Sequence, residues 1–209
     1  MTRLGVILSG RGSNFLAIAD NIASGKLKAE IAIVISNCGD APGVATAKLR
    51  GFKTAVLPSK GRKREEHDRA MLAALREADV DLVILAGYMR LLSPWFIQQF
   101  PGKILNIHPS LLPAFPGLEA QKQALEYGVQ VTGCTVHIVD EHLDHGPILL
   151  QKAVPVLPTD DEHTLADRIL AQEHRAYSEA IALVTEGNYR IVGRRVLLDQ
   201  GNAQEKSSF

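Results

Sequence analysis

The sequence is poor in cysteine, carries no net charge and has no long apolar run. Its two cysteines, Cys38 and Cys134, form no Cys-x-x-Cys pair, which argues against a disulfide scaffold and fits a reducing compartment. The 23 basic and 23 acidic residues cancel, so no long-range field attracts nucleic acid or a membrane surface. The N-terminal apolar run is too short for a signal peptide or a membrane span. We therefore expect a cytoplasmic protein that binds neither nucleic acid nor membranes.

The alternation of apolar and amphipathic segments in the first half predicts a parallel sheet. Four short apolar runs are separated by three segments with helical periodicity. The predicted strands are RLGVIL, EIAIVIS, TAVL and DLVILAG. This order is typical of an α/β, doubly wound, Rossmann-like fold with helices on both faces of a mostly parallel sheet. Its ligands are expected outside the carboxyl ends of the strands.

The second half predicts a mixed extension of the same sheet. The predicted elements are strands over KILNIHP, VTGCTVHIVD and GPILLQKAVPV and a helix over EAQKQALEYG. A long helix follows, with Thr159 or Asp161 as its N-cap, and the polar tail NAQEKSSF is expected to fray. Because no linker or repeat divides the chain, we expect one domain over residues 1–209.

The segment SGRGSN, from Ser9 to Asn14, follows the first predicted strand and opens the first predicted helix. Its glycines allow a tight turn, and the helix N-terminus offers free N–H groups to an anion, so a phosphate is the expected ligand. A turn capped by Ser13 or Asn14 is the alternative without a ligand. A dinucleotide site is disfavoured, because the third glycine is absent and the second strand ends in Ser36 and Asn37 instead of an acidic residue.

Asn106 and His108 end the predicted strand KILNIHP, and their spacing places both side chains on one face of the sheet. An amide beside an imidazole can stabilise an oxyanion and move a proton; an ordinary hydrogen-bonded pair is the structural alternative. Asp144 is expected to orient the imidazole and favour its charged form, unless its loop is only a solvated acidic turn. The prolines after His108 are expected to stiffen the following loop, and the Leu112–Pro113 bond is the candidate for a cis peptide.

The histidines of the second half raise the question of a metal site. They include His108, His137, His142 and His145. The HExxH pattern and the short His-x3-His spacing are missing, so we expect no metal.

Two further segments have side chains suited to ligands. GYMRLLSP, after the fourth predicted strand, surrounds Arg90 with a tyrosine and apolar residues. This composition is typical either of core packing or of the wall of a flat pocket for a heteroaromatic ring. On the last helix, Glu173 can receive an amine or a ribose hydroxyl, and a solvated helix face is the alternative for it and for its neighbours Gln172 and His174.

Five segments occur in one order across nearly the whole chain and carry a family resemblance. They are SGRGSN, LAGYMRLLSP, NIHPSLLPAFPG, VTGCTVHIVDEHLDHGPILLQ and AQEHRAY. Together they closely resemble the folate-dependent formyl transferases, and the Gln-Glu-His helix and the length narrow the resemblance to the phosphoribosylglycinamide formyltransferase group of purine synthesis. This resemblance implies 10-formyltetrahydrofolate as co-substrate, 5-phosphoribosylglycinamide as acceptor, no metal, and a monomer or homodimer.

The resemblance also implies roles for individual residues. The catalytic positions are Asn106, His108 and Asp144. The ribonucleotide positions are Gly12, Ser13 and Asn14 at the phosphate and Glu173 at the ribose. The folate-binding positions are Arg64, Met89, Arg90, Leu91, Leu92, Asn106, Asp140, Glu141, His142, Leu143 and Asp144, with Arg64 near the glutamate tail. Residues 1–100 are thus the expected phosphate-binding half, and residues 101–209 the catalytic and folate-binding half.

Three positions depart from the family pattern, and other functions remain open. Leu170 replaces a polar residue that points to the phosphate in relatives, Glu119–Gln121 replaces a segment with histidines, and His145 replaces a frequent glycine. A methionyl-tRNA formyltransferase is expected to add a C-terminal domain and a basic surface, and a formyltetrahydrofolate hydrolase an N-terminal domain. A non-catalytic nucleotide-binding module would explain SGRGSN alone.

Overall fold

The computed structural model describes residues 1–199, and the tail that was predicted to fray lies outside them. The strands are β1 (Thr2–Leu8), β2 (Ala29–Ser36), β3 (Thr54–Val56), β4 (Leu82–Leu85), β5 (Ile104–His108), β6 (Val131–Ile138), β7 (Ile148–Pro155), β8 (Tyr189–Val192) and β9 (Arg195–Leu198). The helices are α1 (Ser13–Ala23), α2 (Pro42–Leu49), α3 (Arg64–Glu77), α4 (Pro94–Ile97), α5 (Ala120–Tyr127) and α6 (Glu162–Glu186). The sequence did not predict the short helix α4 or the hairpin of β8 and β9.

Seven of the strands form one sheet in the order β3-β2-β1-β4-β5-β6-β7. The pairs from β3 to β5 are parallel, whereas β5–β6 and β6–β7 are antiparallel. The predicted α/β, Rossmann-like fold with a mixed C-terminal part is confirmed. Because β1, β4 and β5 are parallel neighbours, the loops that follow them meet at one edge of the sheet, where ligands of such folds bind.

The core lies on both faces of the sheet. Leu4, Val6 and Leu8 of β1 pack in a cluster that includes residues of α1 and α6. Ile7 points to the other face and packs in the cluster that includes Met71 of α3. Strands covered on both faces must be apolar along their whole length, which explains the unbroken apolar runs in the sequence.

Helix α6 is fixed at its start and near its middle. Asp161 caps its N-terminus in a reciprocal capping box with Thr164, which selects one of the two predicted caps. The buried hydroxyl of Tyr177 lies 2.8 Å from the carbonyl oxygen of Leu85 and 2.9 Å from that of Leu105. These contacts hold α6 against the ends of β4 and β5. None of the helices within residues 1–199 has the length and apolar content needed to cross a membrane.

Candidate active site

The side chains of His108 and Asp144 meet beside Asn106 at the carboxyl end of β5. Nδ1 of His108 lies 3.4 Å from Oδ2 of Asp144, and the two side chains are only 6% and 9% exposed. Asp144 enters from the loop between β6 and β7, where its backbone adopts a positive φ of 49°. The structure therefore brings together the amide, the imidazole and the carboxylate that the sequence placed 38 positions apart, from Asn106 to Asp144.

Both ring nitrogens of His108 face oxygen atoms. Nε2 lies 2.8 Å from the carbonyl oxygen of Phe115, to which it can donate, while Nδ1 faces Asp144. The same carboxylate oxygen of Asp144 accepts the N–H of Gly117 at 2.8 Å. The loop after His108, which contains the predicted cis bond Leu112–Pro113, is thus held at two points. This frame sets the orientation of the imidazole before any ligand arrives.

His137 completes the site and was missed as a functional residue. It stands opposite Asn106 in the antiparallel pair of β5 and β6, and its Nε2 lies 3.1 Å from the amide nitrogen of Asn106. Burial lowers the pKa of His137, because desolvation outweighs the nearby charge of Asp144. The neutral ring, with its proton on Nδ1 towards the carbonyl oxygen of Ile138 at 3.1 Å, can accept the Asn106 N–H at Nε2. The cross-strand register is the signal that could have found it.

The segment after β1 forms an open helix N-terminus. Gly12 occupies the N-cap of α1 with a φ of 73°, and no side chain caps the helix. The alternative in which Ser13 or Asn14 caps the turn is therefore wrong. A Cβ on Gly12 would lie 3.1 Å from Cα of Gly43 in α2, so the position needs glycine for both its conformation and its packing. The uncapped N–H groups of the first turn can bind an anion.

Asn14 reaches across to the last helix. Its Nδ2 donates to Oε2 of Glu173 at 2.7 Å, and both residues are buried. Burial raises the pKa of the Glu173 carboxyl, although the hydrogen bond from Asn14 opposes the shift. Oδ1 of Asn14 is buried without a hydrogen-bond partner among the described residues. An unpaired oxygen beside a buried carboxyl is a place where a polar ligand group can bind.

The loop after β4 forms a second wall at the same edge. Met89 and Leu91 are 70% and 50% exposed, whereas Leu92 is buried in the core. The guanidinium of Arg90 donates to the carbonyl oxygens of Ser59 and Arg62. Leu92 can therefore support this wall from the core but exposes little surface to a ligand. Arg90 connects the wall to the segment before α3.

Hydrogen bonds also tie this wall to the segment after β1. Ser9 Oγ donates to Oδ1 of Asn37 at 2.6 Å and accepts the N–H of Met89 at 2.9 Å. Nδ2 of Asn37 donates to Ser59 Oγ at 3.0 Å. Arg64 is exposed as the first residue of α3. The loops after four parallel strands are thus linked to one another.

The loop between β6 and β7, which supplies Asp144, also contains the predicted folate-binding residues from Asp140 to Leu143. Glu141, His142 and Leu143 are exposed, and Asp140 is half-buried. The four histidines considered for a metal do not gather at one point. His137 lies 3.8 Å from Asp144 and His108 lies 3.4 Å from it, whereas His142 and His145 lie beside Asp140.

Comparisons with known proteins show which proteins this chain is similar to. Residues 2–181 match the family model described as formyl transferase. The chain is 42% identical over 210 residues to a phosphoribosylglycinamide formyltransferase of Haemophilus influenzae, covering 100% of this chain and 99% of that protein. It is 46% identical to the human trifunctional purine biosynthetic protein adenosine-3 over 90% of this chain, but it spans only 19% of that protein. The crystal structure of glycinamide ribonucleotide transformylase 1 from Symbiobacterium toebii is 51% identical, with a TM-score of 0.92 over 95% of this chain and 94% of that chain.

Proposed function

This chain belongs to the formyl transferase family, and we propose that it transfers the formyl group of 10-formyltetrahydrofolate to the amine of 5-phosphoribosylglycinamide. The products are formylglycinamide ribonucleotide and tetrahydrofolate, in purine biosynthesis. The observation that carries the proposal is the buried contact of His108 with Asp144 beside Asn106, at the edge where four linked loops meet. An amide and an imidazole held in this way suit acyl transfer.

The proposed reaction is an addition followed by an elimination. The substrate amine attacks the formyl carbon, a C–N bond forms, and the carbonyl oxygen becomes an oxyanion. The bond from carbon to N10 of the folate then breaks as the oxyanion returns to a carbonyl. A proton leaves the attacking nitrogen, and one arrives at N10. Negative charge develops on the formyl oxygen, and a proton moves from the amine to N10. The protein must therefore supply fixed hydrogen-bond donors for the oxyanion and one group that carries the proton.

Asn106 and His108 are the proposed oxyanion donors. The contact from Nδ1 of His108 to Asp144, at 3.4 Å, is longer than a strong hydrogen bond, so this N–H is available to a substrate oxygen. His137 accepts one N–H of the Asn106 amide and leaves the second for the substrate. One such donor is typically worth about 3–4 kcal/mol of barrier.

Asp144 is proposed to orient the ring of His108 and to place the water that carries the proton from the amine to N10. Its Oδ2 already accepts the N–H of Gly117, whereas Oδ1 has only the distant His137 at 3.8 Å. An oxygen with spare acceptor capacity suits a bound water. The amide, imidazole and carboxylate supply this chemistry directly, and the proposed mechanism has no step that calls for a metal.

The ribonucleotide is proposed to lie between α1 and α6. Its phosphate would bind the uncapped N-terminus at Gly12, Ser13 and Asn14, where the helix dipole favours an anion. Its ribose would bind Glu173, which Asn14 holds in place. The half-buried Leu170 offers no hydrogen bond to the phosphate, so the loop backbone would bear more of that binding. The site draws on both halves of the chain.

The folate is proposed to lie between the wall of Met89 to Leu92 and the loop of Asp140 to Asp144. The exposed side chains of Met89, Leu91 and Leu143 offer apolar contact to a flat ring. Arg64, exposed at the start of α3, is placed near the segment that Arg90 holds and offers a cation to the glutamate tail. We expect these contacts in the cytoplasm, with the chain acting as a monomer or homodimer.

The test is a formyl transfer assay with and without the ribonucleotide. The protein is mixed with a 10-formyl folate, and release of the deformylated folate is followed together with formation of the formylated amide. We expect release only when 5-phosphoribosylglycinamide is present. His163→Ala, which changes an exposed histidine on α6, is the matched control for substitution of His108.

Two other results would point elsewhere. Release of folate and formate without the ribonucleotide would identify a hydrolase and reject the proposed acceptor. Binding of the ribonucleotide with no turnover, in protein whose folding is verified by circular dichroism, would favour a nucleotide-binding module.

A further inference from the structure

Three metal-ligating side chains converge in the loop between β6 and β7. They belong to Asp140, His142 and His145, and their ligand atoms all lie within 4.8 Å of one another. Nδ1 of His145 lies 2.9 Å from Oδ2 of Asp140, and Nδ1 of His142 lies 4.0 Å from Oδ1. The two imidazole rings face each other at 5.1 Å between centroids. Within residues 1–199 this is the one group of three such side chains arranged in this way.

We propose that Asp140, His142 and His145 form a binding site for one Zn²⁺ ion, with the fourth position open to water. Zinc prefers imidazole nitrogen and carboxylate oxygen in tetrahedral arrangement, with bonds of roughly 2.0–2.1 Å and ligand atoms therefore about 3.3 Å apart. The separations from the two histidine nitrogens to the carboxylate oxygens of Asp140, 2.9 Å to Oδ2 and 4.0 Å to Oδ1, lie on either side of this value. The side chains of His142 and His145 are 76% and 51% exposed, so both rings can turn to the ion without disturbing the core.

The carboxylate at the centre of the group is held in place by its own loop. The N–H of His142 donates to Oδ1 of Asp140 at 2.9 Å. This bond already positions the carboxylate, which reduces the ordering that binding an ion requires.

A protein cation already lies against the group. The guanidinium of Arg194, from the turn between β8 and β9, contacts both ring nitrogens and the carbonyl oxygen of His145. Zinc would compete with this guanidinium for the same imidazole. Removal of the Arg194 guanidinium should therefore strengthen zinc binding at this site. Nonspecific binding of zinc to other exposed histidines should not change when Arg194 is removed.

The site is connected to the proposed folate pocket. In the sequence, Asp144 lies between the two histidine ligands. In the structure, where the three ligand side chains converge, Asp144 contacts His108 and accepts the N–H of Gly117. An ion that stabilises this arrangement should favour folate binding, and folate should strengthen zinc binding by the same factor. This coupling rests on the proposed function, whereas zinc binding itself does not.

The experiment measures zinc binding to protein without an affinity tag, after removal of metal, by competition with a chromogenic chelator. We expect one Zn²⁺ per chain. His142→Ala, His145→Ala and Asp140→Asn should each weaken binding by about tenfold or more, since even indirect partners of a ligand are worth that much. His163→Ala should bind as the parent does, and Arg194→Ala should bind several-fold more tightly. Mg²⁺ should not compete, because imidazole ligands disfavour it.

A second measurement tests the geometry without reference to catalysis. Co²⁺ should give the strong visible absorption of a four-coordinate site in the parent and lose it in His145→Ala. Unchanged zinc affinity in the His142→Ala, His145→Ala double variant would overturn the proposal, as would one Zn²⁺ shared between two chains. If zinc binds as expected but leaves folate affinity unchanged, the site stands and its coupling to the folate pocket is rejected.

Discussion

The amide nitrogen of Asn106 lies 3.1 Å from Nε2 of His137, its cross-strand partner in the antiparallel pair β5–β6. Because burial keeps the histidine neutral, the contact directs one amide proton into the ring and the other away from it. The orientation of a proposed oxyanion donor thus depends on a residue that need not touch the substrate.

We therefore expect His137→Leu to lower kcat by about tenfold to a hundredfold, less than the loss of an oxyanion donor itself. The KM for the folate should change little, because the apolar walls of its pocket remain. His137→Gln, which keeps an acceptor near Asn106, should recover part of the activity. Steady-state kinetics of the two variants would check this. Equal losses in both would leave His137 with only a packing role.

His108→Ala should lower turnover by a few orders of magnitude while ligand binding is largely kept, since it removes a donor used mainly in the transition state. Turnover measured by kinetics and folate affinity measured by fluorescence titration would test whether the substitution affects catalysis and not binding. An active variant would move the proposed donor to another residue.

Asp144→Asn should reduce turnover by about 10³-fold or more, as when a carboxylate that orients a catalytic imidazole is neutralised. The amide can still accept the N–H of Gly117, so the loop should keep its place and the folate its affinity. Measurement of kcat and of the folate Kd in the variant and in the parent would test whether turnover falls while folate affinity is kept. If kcat matched that of the parent, Asp144 would have no part in the chemistry.

Glu173→Gln should stabilise the fold at neutral pH and not at low pH. Burial raises the folded-state pKa of Glu173, so the unfolded chain releases this proton more readily, and stability falls as pH rises through the folded pKa. Below the unfolded pKa both states are protonated and the effect vanishes. The gain from the substitution is therefore expected near pH 8 and not near pH 4.

The new amide at this position can also donate to Oδ1 of Asn14, which has no hydrogen-bond partner among residues 1–199. Urea unfolding at pH 8 and at pH 4 would test the prediction, with Glu186→Gln at the exposed end of α6 as the control. A gain of equal size at both pH values would show that the hydrogen bond, and not the carboxyl pKa, is responsible.

Local pattern was sufficient for most of the fold and for part of the site. Apolar runs and glycine stops predicted the strands and helices from β1 to α6 except the short helix α4, because their periodicity is set by local geometry. The spacing of Asn106 and His108 predicted their common face. The hairpin of Tyr189–Val192 and Arg195–Leu198 was missed: most of its strand residues are apolar, but each strand has only 4 residues, which is too short for a clear period-two pattern.

Contacts between distant elements could not be read from the sequence. His137 reaches Asn106 only through the register of β5 and β6, which depends on how the two strands pair. None of the short metal motifs describes the spacing of Asp140, His142 and His145. These side chains come together because the N–H of His142 donates to the Asp140 carboxylate and closes a turn in the loop. The sequence singled out His145 as a departure from a family pattern and as one of four histidines considered for a metal, but it did not group it with Asp140.

The hydrogen bond between Asn14 and Glu173 joins residues 159 positions apart. During synthesis the phosphate loop leaves the ribosome long before α6, so the nascent chain has one side of its proposed ribonucleotide pocket without the other. Closing such a distant contact is slow relative to forming local helices. The protein would therefore acquire the ability to hold its substrate only after α6 has been made, and a ligand that bridges α1 and α6 could act only once both helices have folded.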